Sequence, residues 1–70
     1  MKYYGIHVTT RKNSGGYTVP IAVNDNETEN EAIVKAKQEQ LFEFENDINN
    51  VDYVEEVTEE EYMLMSQYYE

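Results

Sequence analysis

Residues 3–23 read YYGIHVTTRKNSGGYTVPIAV, and this stretch decides the fold because two alternating segments flank a glycine-rich turn. Alternation of apolar and polar side chains with a period of two is typical of a half-buried strand. The pattern predicts strands at Tyr3–Arg11 and Tyr17–Val23, joined by a turn at Lys12–Gly16. Pro20 cannot donate a ladder hydrogen bond, so the second strand is predicted at an edge of the sheet.

A helix is predicted after this hairpin. Thr28 and Glu31 form a capping-box pattern, which marks the first turn of a helix. Apolar residues then recur at three- and four-residue steps through Phe44 to Ile48, and this spacing predicts one amphipathic helix whose apolar face lies against the sheet. The helix is expected to end near Asn46–Asn50.

A third strand and a second helix complete the predicted elements. Val51–Val57 is rich in β-branched and aromatic residues, as strands are. Thr58 and Glu61 repeat the capping box, so a short helix is expected over Glu59–Tyr69; a strand there, forming a hairpin with Val51–Val57, is the alternative. The order β-β-α-β-α with a right-handed crossover puts the third strand beside the first, in sheet order 2-1-3. We expect one small α+β domain spanning residues 1–70.

The charge of the chain is strongly segregated. Residues 1–24 carry three basic side chains and no carboxylate, whereas the rest carries all fifteen acidic side chains and only two lysines. The formal net charge is −10, although a small domain needs a net charge of only about 2 to 8 in magnitude to stay dispersed. Since self-repulsion of this size destabilises a compact state, the acidic surface is predicted to have a function.

Few residues could support catalysis. The chain has no cysteine, a single histidine at His7 and two separated serines at Ser14 and Ser66, and it contains no nucleophile elbow, phosphate loop or metal-binding His-Glu motif. His7 is predicted to be a surface strand residue. We therefore expect a protein that is not an enzyme and that uses neither metal nor cofactor. With no signal peptide and no apolar run of about 20 residues, a cytoplasmic location away from the membrane is expected.

An acidic stripe is predicted on the first helix, because residues 31, 35, 39, 43 and 47 are Glu, Lys, Glu, Glu and Asp. Neighbours in such a stripe lie about 6 Å apart, comparable to phosphates along a DNA strand, and like-charged pairs cost about 0.2–0.5 kcal/mol each. An over-charged solvated surface is the alternative. The predicted partner-binding residues are the stripe and its acidic flanks: Glu31, Glu39, Glu43, Asp47, Asp52, Glu55, Glu56, Glu59, Glu60 and Glu61.

The C-terminus is rich in tyrosine and methionine, which are enriched where proteins meet proteins. This group is too dense for one thin core to absorb, so it is predicted to form a dimer or partner contact through Tyr62, Met65, Tyr68 and Tyr69. A chain of this size without disulfides often gains stability by association, and a homodimer is therefore expected.

In size, charge and short mixed α/β organisation, the whole chain resembles the small acidic DNA-mimic proteins encoded by bacteriophages, which share surface character but no sequence motif. The resemblance implies an inhibitor that does not bind nucleic acid itself but covers the DNA-binding surface of a basic host protein. An HU-type nucleoid protein is the favoured target; a CRISPR nuclease, a uracil-DNA glycosylase or a restriction enzyme are others. The alternative is a non-enzymatic adaptor that binds through its C-terminus or a sheet edge.

Overall fold

A computed structural model describes residues 1–9 and 16–67 of the chain. Its elements confirm the predicted order and the α+β class: strand β1 (Lys2–Thr9), strand β2 (Gly16–Val23), helix α1 (Glu29–Gln38), a 3₁₀ helix (Glu45–Asn50), strand β3 (Val51–Val57) and helix α2 (Glu59–Gln67). The predicted turn lies outside the described residues except for Gly16, as do Thr10 and Arg11 at the predicted end of the first strand.

The sheet has the predicted strand order, β2-β1-β3, and β1 is antiparallel to both neighbours. Between His7 and Val8 the pairing with β3 is irregular: Tyr53 is opposite His7 and Val51 is opposite Val8. Asp52 therefore has no partner on β1 and forms a bulge, which locally increases the twist of the outer strand.

One face of the sheet carries the hydrophobic core. Alternation along β1 and β2 directs their apolar side chains to this face, where α1 packs on both strands. The two core residues of α1 are alanines, so the helix can lie close to the sheet. The buried cluster comprises Tyr4, Ile6, Val8, Val19, Ile21, Val23, Ala32, Ala36 and Phe42.

Helix α2 covers part of the opposite face. The ring of Tyr62 lies 4.9 Å from the ring of Tyr3, measured between centroids. A Cβ atom added at Gly5 would lie 3.0 Å from Cε of Met65 and 3.2 Å from Cγ2 of Thr18. The missing side chain of Gly5 therefore makes the space in which α2 approaches the sheet.

The first helix ends earlier than predicted, at Gln38, so the expectation that it reaches residues 46–50 is wrong. The N–H of Leu41 donates to the carbonyl of Ala36 at 3.0 Å, and the N–H of Gln40 donates to that of Lys37 at 3.1 Å. Gln40 has a φ of 58°. This is the Schellman arrangement that terminates helices, formed here with glutamine in the left-handed position that glycine usually occupies.

The early end of α1 changes the expected position of Phe44. Phe44 was predicted on the buried face of a continuous helix, but its side chain is 66% exposed. Phe42 is in the core instead. Because the chain changes direction at Gln40, the three- and four-residue spacing of apolar residues no longer places them on one face.

The outer edge of β2 is protected. Pro20 lies within this edge strand, as predicted, and has no N–H to offer a further strand. The ammonium group of Lys35 reaches across from α1 and donates to the carbonyl of Ala22 at 2.9 Å. A proline and a lysine are common devices by which proteins close a sheet edge to association.

Candidate partner-binding surface

The predicted acidic stripe does not form on one helix. Residues 31 and 35 lie in α1, Glu39 is its C-terminal cap, Glu43 follows in the connecting segment, and Asp47 belongs to the 3₁₀ helix. The chain reverses at Gln40. Glu39, Glu43 and Asp47 therefore do not share a helical face, and the prediction of a stripe of regularly spaced charges is wrong.

Asp47 is also wrongly predicted to face a partner, because its side chain is only 5% exposed. The hydroxyl of Tyr17 donates to Oδ2 of Asp47 at 2.6 Å, and Nδ2 of Asn50 donates to Oδ1 at 3.4 Å. The Tyr17 oxygen in turn accepts from the N–H of Glu43 at 3.0 Å. A buried carboxylate needs such donors, so Asp47 has a structural role.

Two further predicted residues, Glu31 and Glu61, hold helix caps. Oε1 of Glu31 accepts from the N–H of Thr28 at 3.2 Å, and Oγ1 of Thr28 accepts from the N–H of Glu31 at 3.3 Å. Thr58 and Glu61 make the same reciprocal bonds at 3.1 Å. Both capping boxes predicted from the sequence are therefore confirmed. Both glutamates remain exposed.

The remaining acidic side chains gather along β3 and the start of α2. We call this surface the acidic border; its members are all exposed and comprise Asp52, Glu55, Glu56, Glu59, Glu60 and Glu61. Three of the seven residues of β3 are acidic, and the adjacent Glu55 and Glu56 point to opposite faces of the sheet. The border therefore presents carboxylates on both faces of the outermost strand.

In the described part of the chain, no lysine forms an ion pair with the border. Among residues 1–9 and 16–67 there are two ion pairs. The N-terminal amine pairs with Asp25 at 2.9 Å, and Nε2 of His7 pairs with Glu55 at 3.3 Å. The hydrogen bond from the N-terminal amine, and then its charge, lower the pKa of Asp25. Lys35 binds a backbone carbonyl rather than a carboxylate. Within the described ranges, the border carboxylates other than that of Glu55 thus have no ion-pair partner.

The sequence analysis missed a polar cluster around His7 beside this border. Nδ1 of His7 lies 3.1 Å from Oγ1 of Thr18, and the imidazole stacks on the ring of Tyr53 with centroids 4.2 Å apart. Together with Glu55, these groups form a chain of hydroxyl, imidazole and carboxylate on the sheet surface. The hairpin register could have revealed half of it, since His7 and Thr18 are a directly opposite cross-strand pair. The cluster holds Glu55 and Tyr53 in position at the border.

Two of the four residues of the predicted C-terminal contact are described by the structure. Tyr62 and Met65 are half-buried against β1, so part of each side chain packs within the domain and is not exposed to a partner. Tyr68 and Tyr69 lie outside the described residues. The apolar side chains that α2 exposes are instead Met63 and Leu64, at 58% and 54%. The sequence analysis did not single these two out because the phase of the helix against the sheet was unknown.

Within the described ranges, His, Asp and Glu side chains form no group of three or more that could hold a metal ion. Neither described helix has the length and apolar character required to cross a membrane. In comparisons with known proteins, no family model matches the chain, and neither a curated protein nor a solved structure is detectably similar to it.

Proposed function

We propose that this protein is a DNA-mimic inhibitor that acts in the bacterial cytoplasm. Its acidic border binds the DNA-binding surface of a basic host protein, with an HU-type nucleoid protein as the first target to test, and so excludes DNA. One observation carries the proposal: the border exposes six carboxylates on consecutive elements, and no lysine of the described chain pairs with them.

The physics of such binding mirrors that of DNA binding. Lysine and arginine side chains that would neutralise phosphates pair with the border carboxylates, and the counterions of both surfaces are released. Affinity therefore falls as salt rises. Tyr53, which is 51% exposed beside Glu55, adds an apolar contact that salt does not screen. The partner is selected by its positive charge and by a surface shaped for a polyanion.

Two charge-matched variants test where the partner binds. The border variant carries Asp52→Asn, Glu56→Gln, Glu59→Gln and Glu60→Gln. The reference variant carries Glu29→Gln, Glu39→Gln, Glu43→Gln and Glu45→Gln, at positions that are also exposed. Each loses four negative charges, and neither touches a capping box or the buried Asp47. The measurement is displacement of a fluorescent DNA duplex from a purified HU-type protein, together with capture of partners from a bacterial lysate.

We expect the wild-type protein and the reference variant to displace the duplex and the border variant to lose about tenfold or more in affinity at low salt. Captured proteins should elute with rising salt, bind DNA and be released by added duplex. Equal losses in both variants would mean that only net charge matters and that the border is not the site. Capture of neutral or acidic partners that duplex DNA does not release would exclude a DNA mimic.

A second candidate function, a non-enzymatic interaction domain, is favoured by the exposed apolar pair Met63 and Leu64 on α2. Apolar docking of this kind responds little to salt. In the same capture experiment, a double substitution of Met63→Ala and Leu64→Ala would then abolish binding, whereas the border variant would bind normally. The DNA-mimic proposal predicts the opposite pattern.

A further inference from the structure

The two edges of the sheet differ. The edge at β2 is closed by Pro20 and by the hydrogen bond from Lys35 to Ala22. The edge at β3 has neither device: Val51–Val57 contains no proline and no lysine. On the other side β3 pairs with β1. In the part of the chain that the structure describes, the backbone groups of β3 that point away from β1 have no hydrogen-bond partner.

The register identifies which backbone groups β3 presents. In antiparallel strands, both backbone groups of a residue point to the same side, and the side alternates along the strand. The backbone groups of Ala22 and Pro20 point away from β1. The backbone groups of the residues opposite them on β1, Tyr3 and Gly5, therefore point toward β3. The β3 residues opposite these two bond to β1. The intervening residues, Val54 and Glu56, therefore direct their N–H and C=O groups outward.

The side chains along this edge alternate between the two faces of the sheet. Val54 and Glu56 lie on the face of α1, and Tyr53 and Glu55 lie on the face of α2. Each face thus offers one apolar and one acidic side chain, and all but the half-buried Val54 are exposed. An added strand would meet a carboxylate on both of its faces, whichever way its side chains alternate.

We propose that the edge of β3 is a docking site for an extended, lysine- or arginine-containing segment of the protein's partner, which joins the sheet as a fourth strand. The inference deepens the proposed function and rests on it for the positive charge of the partner. Backbone bonds to Val54 and Glu56 supply affinity, and the carboxylates of Glu55 and Glu56 select basic side chains. A second copy of this chain does not suit the edge, because like charges placed opposite each other across two strands repel.

Amide hydrogen exchange tests this docking with a capped eight-residue peptide of alternating lysine and valine. Its control is a peptide of equal charge in which the two central valines are proline, since proline prevents strand pairing. We expect the first peptide to slow exchange at the amides of Val54 and Glu56 and to bind at least fivefold more tightly than the control. The outward amides of Thr18 and Ala22, on the closed edge, should not change.

A substitution provides a second test. Val54→Pro removes one outward N–H and leaves every charge in place, and proline is tolerated where a strand N–H faces solvent. We expect this variant to keep its circular dichroism spectrum and to lose the preference for the strand-competent peptide. If it unfolds, the exchange measurement on the wild-type protein decides alone.

The possible outcomes separate this inference from the proposed function. If neither peptide slows exchange at Val54 and Glu56 while the protein still displaces DNA from the HU-type protein, edge docking is refuted and the DNA mimic stands. If the peptide protects both amides but the protein displaces DNA from no DNA-binding protein, the edge docks basic strands and the DNA-mimic proposal fails. A β3-to-β3 dimer, detected by sedimentation with the same amides protected and no peptide present, would also refute the docking of a basic partner.

Discussion

Tyr17 and Asp47 are joined by a 2.6 Å hydrogen bond in which the phenol donates to Oδ2 of the carboxylate. The two residues are 30 positions apart in the chain, and the bond links the hairpin strand β2 to the 3₁₀ helix. The same phenol oxygen accepts the N–H of Glu43. One tyrosine therefore fixes the segment between α1 and β3 against the sheet.

We predict that Tyr17→Phe lowers the free energy of unfolding by about 1–3 kcal/mol, because the substitution leaves a buried carboxylate without its main donor. Urea unfolding followed by circular dichroism measures the change. Tyr53→Phe is the control. Tyr53 is 51% exposed, so loss of its hydroxyl should lower the free energy of unfolding by less than about 0.5 kcal/mol. Equal effects from both substitutions would show that the bond to Asp47 contributes nothing specific.

Gln40→Gly should stabilise the protein by about 0.5–1 kcal/mol, because Gln40 has a φ of 58° that glycine adopts without steric cost. Gln38→Gly, in the last turn of α1, is the matched control and should destabilise by about 0.5–1 kcal/mol. Thermal unfolding measures the change in stability of each variant and shows whether it is a gain or a loss. A loss of stability in Gln40→Gly would contradict the assignment of Gln40 to the helix-terminating motif.

A side chain at Gly5 should force α2 away from the sheet. In Gly5→Val the added Cβ atom would lie 3.0 Å from Cε of Met65 and 3.2 Å from Cγ2 of Thr18. Both distances are shorter than ordinary van der Waals contact, and such overpacking typically costs about 1–3 kcal/mol. Near-ultraviolet circular dichroism should report a changed environment of Tyr3 and Tyr62. Adding Met65→Ala to Gly5→Val should recover part of the lost stability, and no recovery would mean that Met65 does not fill this space.

Added salt should stabilise the protein. The formal net charge is −10, and the described carboxylates have no lysine partners, so screening mainly relieves repulsion. Raising sodium chloride from about 20 to 500 mM should add on the order of 1 kcal/mol, roughly 4–8 °C in melting temperature. The border variant, with four fewer negative charges, should gain less. A melting temperature that falls with salt would indicate attractive pairs along the border.

Most of the fold could be predicted because its signals are local. The alternation in β1 and β2, the proline of the edge strand and the two capping boxes each act within a few residues. The end of α1 could not be predicted, since Gln40 occupies a conformation for which glycine is the usual signal. The apolar spacing that continues to Ile48 is satisfied by a turn and a 3₁₀ helix instead.

The candidate site was predicted less well, because it depends on where distant segments meet. The border carboxylates were predicted as the acidic flanks of the stripe, and they are exposed on neighbouring elements. Asp47 was assigned to the same surface because its sequence spacing continued the stripe. Its burial is decided by Tyr17, 30 residues away, and no local pattern carries that information.

The closed edge at β2 sets a limit on how this sheet can polymerise. A cross-β fibre needs each copy to accept a strand on both sides. Here Pro20 and Lys35 leave one side without a row of free backbone groups, so a strand added at β3 completes the sheet instead of extending it. The native sheet can therefore have one free edge, on an acidic strand, without growing from copy to copy into a continuous sheet.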